Sequence, residues 1–298
     1  MIGAILSGAV LLIASNTQAQ NLFMSDYNGF DGDNIYEISP GGTQTIFTSG
    51  GFTSPLSTYP AGMAFNSAGN LFVSSFGNES IVEITPNGVQ STFATGVIFP
   101  YGLAVNNSGD LFASSGLGYI YEFTPSGVRT TFASGLGGGG ELAFNSAGDL
   151  FVANGGNITE ITPAGVQSTF STIPGFSAYG LAFNNAGNLF VSYQSLGQGN
   201  LSGILEYTPS GVQSTFATGL NVARDLAFNS AGDLFEADNG SGNIYEFTPA
   251  GVESSFVSGF SGPWGLAFQP EAVPEPSTLW LLVVGAIVLL VHRVKLTA

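Results

Sequence analysis

The sequence predicts an all-β chain, a six-bladed β-propeller closed by its N-terminal strands pairing with a C-terminal inner strand. Three observations carry this. A segment of the form Gly-Leu-Ala-Phe-Asn-x-x-Gly-Asn/Asp-Leu-Phe-Val recurs five times, with the position of Phe65 repeated at Val105, Phe144, Phe183 and Phe228. That spacing of about 40 residues is one four-stranded blade. A second segment, Ile-x-Glu-hydrophobic-Ser/Thr-Pro-x-Gly followed by a Thr/Ser-Phe strand, occurs six times, with its proline at Pro40, Pro86, Pro125, Pro163, Pro209 and Pro249. The ends of the repeat region are complementary. The first copy begins at a second strand, Leu22-Phe23-Met24-Ser25, and the last stops after a first strand, Gly265-Leu266-Ala267-Phe268. Joining the two fragments closes a ring and leaves no open inner edge.

Within a blade the strands read A (Leu-Ala-Phe), B (Leu-Phe-Val-Ser), C (Ile-Tyr-Glu-Phe) and D (Gln-Ser-Thr-Phe). Glycines such as Gly69 and Gly88 mark the A–B and C–D turns, where a positive φ is needed. Consecutive apolar residues in strand B, as in Leu71-Phe72-Val73, predict burial on both faces between neighbouring blades. Abundant glycine (43) and phenylalanine (25) with only 8% charged residues suit many short strands and tight turns.

Two terminal segments flank the repeats. Residues 1–19 read as a secretory signal peptide: Ile2 to Ala14 are apolar, Ser15 to Gln18 are polar, and Ala19 is a small residue suited to cleavage before Gln20. Residues 20–270 are then the propeller. Residues 271–298 combine Val273-Pro274-Glu275-Pro276-Ser277-Thr278, an uncharged apolar run over 279–291 predicted as a short hydrophobic helix, and a basic tail with His292, Arg293 and Lys295. The apolar run is shorter than the ~20 residues of an ordinary spanning helix. Its basic flank would keep the tail cytoplasmic and leave the propeller outside, with membrane contact through this segment.

That C-terminal arrangement, centred on Pro274, Glu275 and Pro276, resembles a PEP-CTERM sorting signal. The resemblance implies recognition by an exosortase in the inner membrane of a Gram-negative bacterium, removal of the tail, and delivery to the surface or an extracellular matrix. The partners expected from it are the secretion machinery and the processing enzyme, then an exopolysaccharide or surface protein. The Gly-Leu-Ala-Phe repeats are similar to NHL-type repeats and, more distantly, to gluconolactonase and streptogramin-lyase propellers; this likeness concerns architecture.

Composition excludes several functions. The net charge is −16, and outside the tail the basic residues are Arg129 and Arg224, so a nucleic-acid partner is not expected. Cysteine is absent, which removes disulfides, thiol nucleophiles and thiolate metal sites while permitting an oxidising compartment. The single histidine, His292, lies in the tail, so no Ser-His-Asp arrangement can form in the propeller.

The repeats act as their own control: a residue present in every blade is scaffold, and one that breaks the pattern is free for another role. By this test the strand-C glutamates Glu37, Glu83, Glu122, Glu160, Glu206 and Glu246 are structural, as are Asp110, Asp149 and Asp233 of the A–B turn. Length variation is confined to the B–C and D–A loops, in the irregular pieces 51–60, 136–140, 173–178 and 194–203, which marks one face as the binding face. At the start of strand A, Tyr101, Tyr179 and Trp264 could ring the channel mouth, presenting aromatic faces to sugars or to an apolar partner patch.

Four further breaks gather in one blade: Arg224, Asp225, Glu236 and Asp238. Glu236 stands where other blades have Met24, Val73, Ala113, Val152 and Val191, so it is expected to be a buried acid needing a partner, with Arg224 the candidate. A cation site from Glu141, Asn154, Asp225 and Asp238 is a second possibility, and its oxygen ligands would favour calcium or magnesium. The acidic run Asp26-x-Asn28-x-x-Asp31-x-Asp33 lacks EF-hand spacing. The leading expectation is an exported propeller, not an enzyme, that binds a glycan, peptide or protein on its loop-rich face through Tyr101, Tyr179, Arg224 and Trp264. The alternatives are a metal-dependent lactonase or hydrolase using the acidic cluster, and a purely structural matrix protein.

Overall fold

A computed structural model of the chain describes residues 20–27, 34–49, 59–197 and 201–270. The expected signal segment 1–19, the C-terminal segment 271–298 and the loop residues 28–33, 50–58 and 198–200 lie outside the described residues. Among the described residues no helix is long and apolar enough to cross a membrane.

Among the described residues twenty-four strands form six four-stranded antiparallel sheets. Blade 1 holds β1 (Leu22–Asp26), β2 (Asn34–Ile38) and β3 (Gln44–Ser49). Blade 2 is β4 (Pro60–Phe65), β5 (Leu71–Ser75), β6 (Ser80–Ile84) and β7 (Gln90–Thr95). Blade 3 is β8 (Pro100–Val105), β9 (Leu111–Ser115), β10 (Ile120–Phe123) and β11 (Arg129–Ala133), and blade 4 is β12 (Leu142–Phe144), β13 (Leu150–Asn154), β14 (Asn157–Ile161) and β15 (Gln167–Thr172). Blade 5 is β16 (Phe176–Phe183), β17 (Leu189–Ser195), β18 (Ser202–Tyr207) and β19 (Gln213–Leu220); blade 6 is β20 (Ala223–Phe228), β21 (Leu234–Asp238), β22 (Asn243–Phe247) and β23 (Glu253–Ser258). The last strand, β24 (Pro263–Phe268), returns to blade 1 and pairs antiparallel with β1, Leu22 opposite Phe268 and Met24 opposite Leu266. The ring is closed as the complementary ends require.

The phenylalanines explain how blades stack. The second residue of each B strand lies edge-on to a D-strand ring of its own blade and to an A-strand ring of the next: Phe23 meets Phe47 at 4.9 Å and Phe65 at 5.0 Å. The same triad recurs around Phe112, Phe151, Phe190 and Phe235. Where Val105 replaces the A-strand ring, Phe72 keeps only its contact with Phe93 at 4.8 Å. Edge-to-face pairs of this kind add roughly 0.5–1.5 kcal/mol each beyond burial.

The bottom face is scaffold. In blades 1, 2 and 5 an asparagine amide bonds the strand-C glutamate, Asn21 to Glu37 at 2.6 Å, Asn70 to Glu83 and Asn188 to Glu206 at 2.7 Å. Where the turn carries aspartate, the turn asparagine takes it as acceptor, Asn145 to Asp149 at 2.9 Å. Blade 5 departs from the expected irregular loops. Its segments 176–178, 194–195 and 202–203 are strand, because β16, β17 and β18 continue upward in register, with Phe176 opposite Ser195 and Gln194 opposite Ser202.

Candidate functional site

Five A strands are bulged at the channel end. Register is lost between Pro60 and Met63, Pro100 and Leu103, Ala178 and Leu181, Ala223 and Leu226, and, in β24 against β1, Pro263 and Leu266. A bulge bends the strand and re-aims its side chains, and the residues it frees are Ala61, Tyr101, Tyr179, Arg224 and Trp264, each with the residue after it. Just upstream, Tyr59, Phe99 and Val222 hold positive φ of 40°, 49° and 65°. Such a backbone costs about 1–3 kcal/mol per residue and marks a constrained site. What holds it is shared: their carbonyls accept the amides of Phe76 at 3.2 Å, Gly116 at 2.9 Å and Asn239 at 3.2 Å, docking each B–C loop on the rim.

On this rim the aromatic side chains assemble around one cation. The Arg224 guanidinium carbon lies 4.2 Å from the ring centre of Tyr179, in the preceding blade, and 4.3 Å from that of Trp264, in the following one. Trp264 stacks on Tyr27 at 4.7 Å, Tyr27 on Tyr59 at 4.3 Å, and Tyr101 approaches Trp264 edge-on at 5.9 Å. Burial, opposed in part by Arg224, pushes the Tyr101 hydroxyl above its usual range, so it stays a proton donor. Tyr27 and Tyr59 are members that the repeat comparison missed, because neither falls at the start of an A strand.

Immediately before the Leu-Ala-Phe run or its equivalent, each blade buries one small or acidic residue at its A-strand start: Gly62, Gly102, Glu141, Gly180, Asp225 and Gly265. In blades 1, 3 and 5 a strand-B serine accepts that glycine's amide and donates to the next blade's A strand. Ser25 takes Gly265 N–H at 2.8 Å and gives to Ala61 O at 2.9 Å, Ser114 does the same between Gly102 and Gly140, and Ser192 links Gly180 to the Arg224 carbonyl. Ser74 reaches the Tyr101 carbonyl at 2.7 Å. The two blades with an acid instead of glycine carry alanine instead of serine, Ala153 with Glu141 and Ala237 with Asp225. A Cβ at Gly265 would lie 2.3 Å from the Ala61 carbonyl and 3.0 Å from the Ser25 hydroxyl, so a larger residue there needs the next blade's backbone, and then the serine, to give way. In blade 6 the carboxylate supplies the cross-blade bond itself, accepting the Leu266 amide at 2.8 Å.

Glu141 and Asp225 are each 7% exposed. Gly62 and Gly102 leave room for the Glu141 carboxyl, whose oxygens sit 3.1 and 2.8 Å from where their Cβ atoms would be. Burial, then the neighbouring Asp225, push Glu141 well above the usual carboxylate range. Burial pushes Asp225 up to about 7, against the amides of Leu266 and Leu226. Burial raises both acids, and the charge of Asp225 adds to the cost of ionising Glu141. The glycines around them are tightly set: a Cβ at Gly180 would lie 2.5 Å from the Arg224 carbonyl. Gly180→Ala is therefore expected to cost about 1–3 kcal/mol through overpacking. It should lower the melting temperature by roughly 2–12 °C in a thermal scan.

The remaining acids are elsewhere. Asp238 ties a loop, accepting Asn221 N–H at 2.6 Å and Ser241 N–H at 2.9 Å. The Asn154 side-chain oxygen faces Thr159 at 3.4 Å. Asp26 accepts the Gly262 amide at 2.8 Å. Among the described residues no group of three or more His, Cys, Asp or Glu side chains could hold a metal ion. Both Asp225 oxygens accept backbone amides, those of Leu226 and Leu266, each at 2.8 Å. The expected Arg224–Glu236 ion pair is not formed. The bulge turns Arg224 up between Tyr179 and Trp264, whereas Glu236 pairs across the sheet with Leu226, 0% exposed and, apart from the approach of the Arg224 backbone amide, without a partner for either oxygen.

The comparisons with known proteins divide between the tail and the ring. Residues 272–294 are a PEP-CTERM protein-sorting motif. A PEP-CTERM motif implies export, membrane-associated sorting and processing by an exosortase-type enzyme. None of the curated proteins matches the chain. Solved structures match the propeller and establish the fold alone. One from a nidogen/laminin complex has a TM-score of 0.68 at 14% identity, covering 85% of this chain and 100% of that one. A gluconolactonase from Xanthomonas campestris has a TM-score of 0.62 at 12% identity, covering 83% and 89%. Virginiamycin B lyase from Staphylococcus aureus has 0.58 at 16%, covering 80% and 85%. The PEP-CTERM tail thus follows a ring whose architecture serves both binding proteins and enzymes.

Proposed function

We propose that this chain is an exported propeller, sorted through its PEP-CTERM tail to the cell surface or extracellular matrix of a Gram-negative bacterium, where its top-face mouth binds glycan. Export would begin with the signal segment 1–19, and the partner would be an exopolysaccharide or surface glycan. The observation that carries the reading is the stack Tyr59–Tyr27–Trp264–Arg224–Tyr179, with Tyr101 beside it. Sugar rings present C–H faces to aromatic rings and hydroxyls to tyrosine and guanidinium donors, and preset rings lose little entropy on binding. A binding role is favoured over a hydrolytic one because, among the described residues, no three His, Cys, Asp or Glu side chains gather at one point and the propeller has no histidine base.

The test is binding of the full chain to a glycan array. Replacing Tyr101, Tyr179 and Trp264 together by alanine is expected to weaken the bound glycans by at least about tenfold, as loss of stacked aromatic anchors does. The circular-dichroism spectrum should remain that of a folded sheet protein. Undiminished binding by this variant would remove the mouth as the site.

A further inference from the structure

The guanidinium at the centre of the mouth is uncommitted. Arg224 forms no ion pair and no side-chain hydrogen bond among the described residues, and its Nε is buried without an acceptor. Both faces of the group are occupied by rings, so only its rim of N–H donors is left for a ligand. Arginine held in this way is a preset planar fork that matches a carboxylate through two parallel hydrogen bonds. The Nε is buried, so a carboxylate arriving from the mouth meets the guanidinium at its Nη donors, for which no bond within the protein is formed among the described residues.

We propose that the mouth selects glycans bearing a carboxylate, that is, uronate residues, with Arg224 as the group that reads the carboxylate; this rests on the glycan reading above. The single charge argues for a carboxylate over a phosphate or sulfate group, whose sites gather several cations. The only other basic residue described is Arg129, which is engaged elsewhere, bonded to the Gly96 carbonyl at 3.0 Å and lying over Tyr121 at 5.0 Å. Tyrosine rings beside the fork give the sugar a stacking surface, which favours a uronate over the free C-terminus of a peptide. The net charge of −16 opposes any anion at long range. At physiological salt that repulsion is screened beyond about 8 Å, whereas the fork acts at contact.

Fluorescence offers a direct readout, since the sequence has two tryptophans, Trp264 in the mouth and Trp280 in the tail. The full chain carrying Trp280→Phe would be titrated with oligomers of galacturonate, glucuronate and mannuronate, with their carboxyl-reduced neutral counterparts, and with a short alanine peptide. At least one uronate oligomer is expected to change Trp264 emission and to bind about tenfold or more tightly than its neutral counterpart. Arg224→Gln should erase that preference, and Arg224→Lys should restore only part of it because the charge returns without the fork. Equal binding of acidic and neutral oligomers, unaffected by Arg224→Gln, would overturn the carboxylate assignment while leaving the glycan reading standing. Binding of the peptide alone, or of none of the oligomers, would overturn both.

Discussion

Ending the chain at residue 262 is expected to abolish cooperative folding, whereas ending it at residue 270 leaves the propeller intact. The shorter chain lacks β24, the only strand that pairs β1 on its inner side. Without it Leu22, Phe23 and Met24, now 0–2% exposed, would meet water, and Leu266 and Ala267 would be lost from two different inter-blade clusters. At about 1.5–3 kcal/mol for each large apolar side chain uncovered, the loss is comparable with the whole 5–15 kcal/mol stability of an ordinary domain. An open inner edge would add a site for aggregation. Circular dichroism and a melting curve on the two chains decide the matter: a cooperative transition in the 262-residue chain would show that five blades suffice.

Glu236→Val is expected to stabilise the protein, and more so as pH rises. Valine is the residue that Val73, Val152 and Val191 place at the same position, so the shape is one the fold already accepts. The glutamate is fully buried, and apart from the approach of the Arg224 backbone amide neither carboxyl oxygen has a hydrogen-bond partner. Burial, then Asp238, push its carboxyl well above the usual range, with partial relief from the Arg224 backbone amide. Removing an unsatisfied buried polar group gains about 1–3 kcal/mol, or roughly 2–12 °C in melting temperature. The sign of the pH effect follows from proton binding. From the unfolded-state value near 4.5 up to the raised folded-state value, the native protein holds a proton that the unfolded chain has released. Unfolding free energy therefore falls with rising pH across that window, by about 1.4 kcal/mol per pH unit for this group. Asp225 and Glu141 act in the same direction, and they remain in the variant. The difference in melting temperature between variant and parent should thus widen from pH 5 to pH 8. A variant that melts lower than the parent at pH 8 would mean that Glu236 has a stabilising partner.

The glycine cradle, the aromatic stack and the free fork share one cause in the fold. Each bulge takes two residues out of strand alternation at the channel end, so identities such as Arg224-Asp225 diverge in direction although they are neighbours. The need of a buried acid for a partner, with Arg224 breaking the repeat in the same blade, had suggested instead that Arg224 and Glu236 meet. The serine-to-alanine changes at Ala153 and Ala237 were legible beside Glu141 and Asp225, but their meaning was not. Only the structure shows the serine joining its glycine's amide to the next blade, a cross-blade link that the Asp225 carboxylate makes in its place in blade 6. Tyr27 and Tyr59 reach the stack from loops whose path no repeat pattern constrains.

By itself the sequence determined the all-β class, six blades, the closure of first strand on last, and the PEP-CTERM tail. These follow from local period, turn glycines and a contiguous motif, all of which are properties of adjacent residues. Tertiary structure alone decided what meets in the channel. The mouth gathers residues from Tyr27 to Trp264, and the angle at which each enters is set by bulges, positive-φ carbonyls and the space that glycines leave.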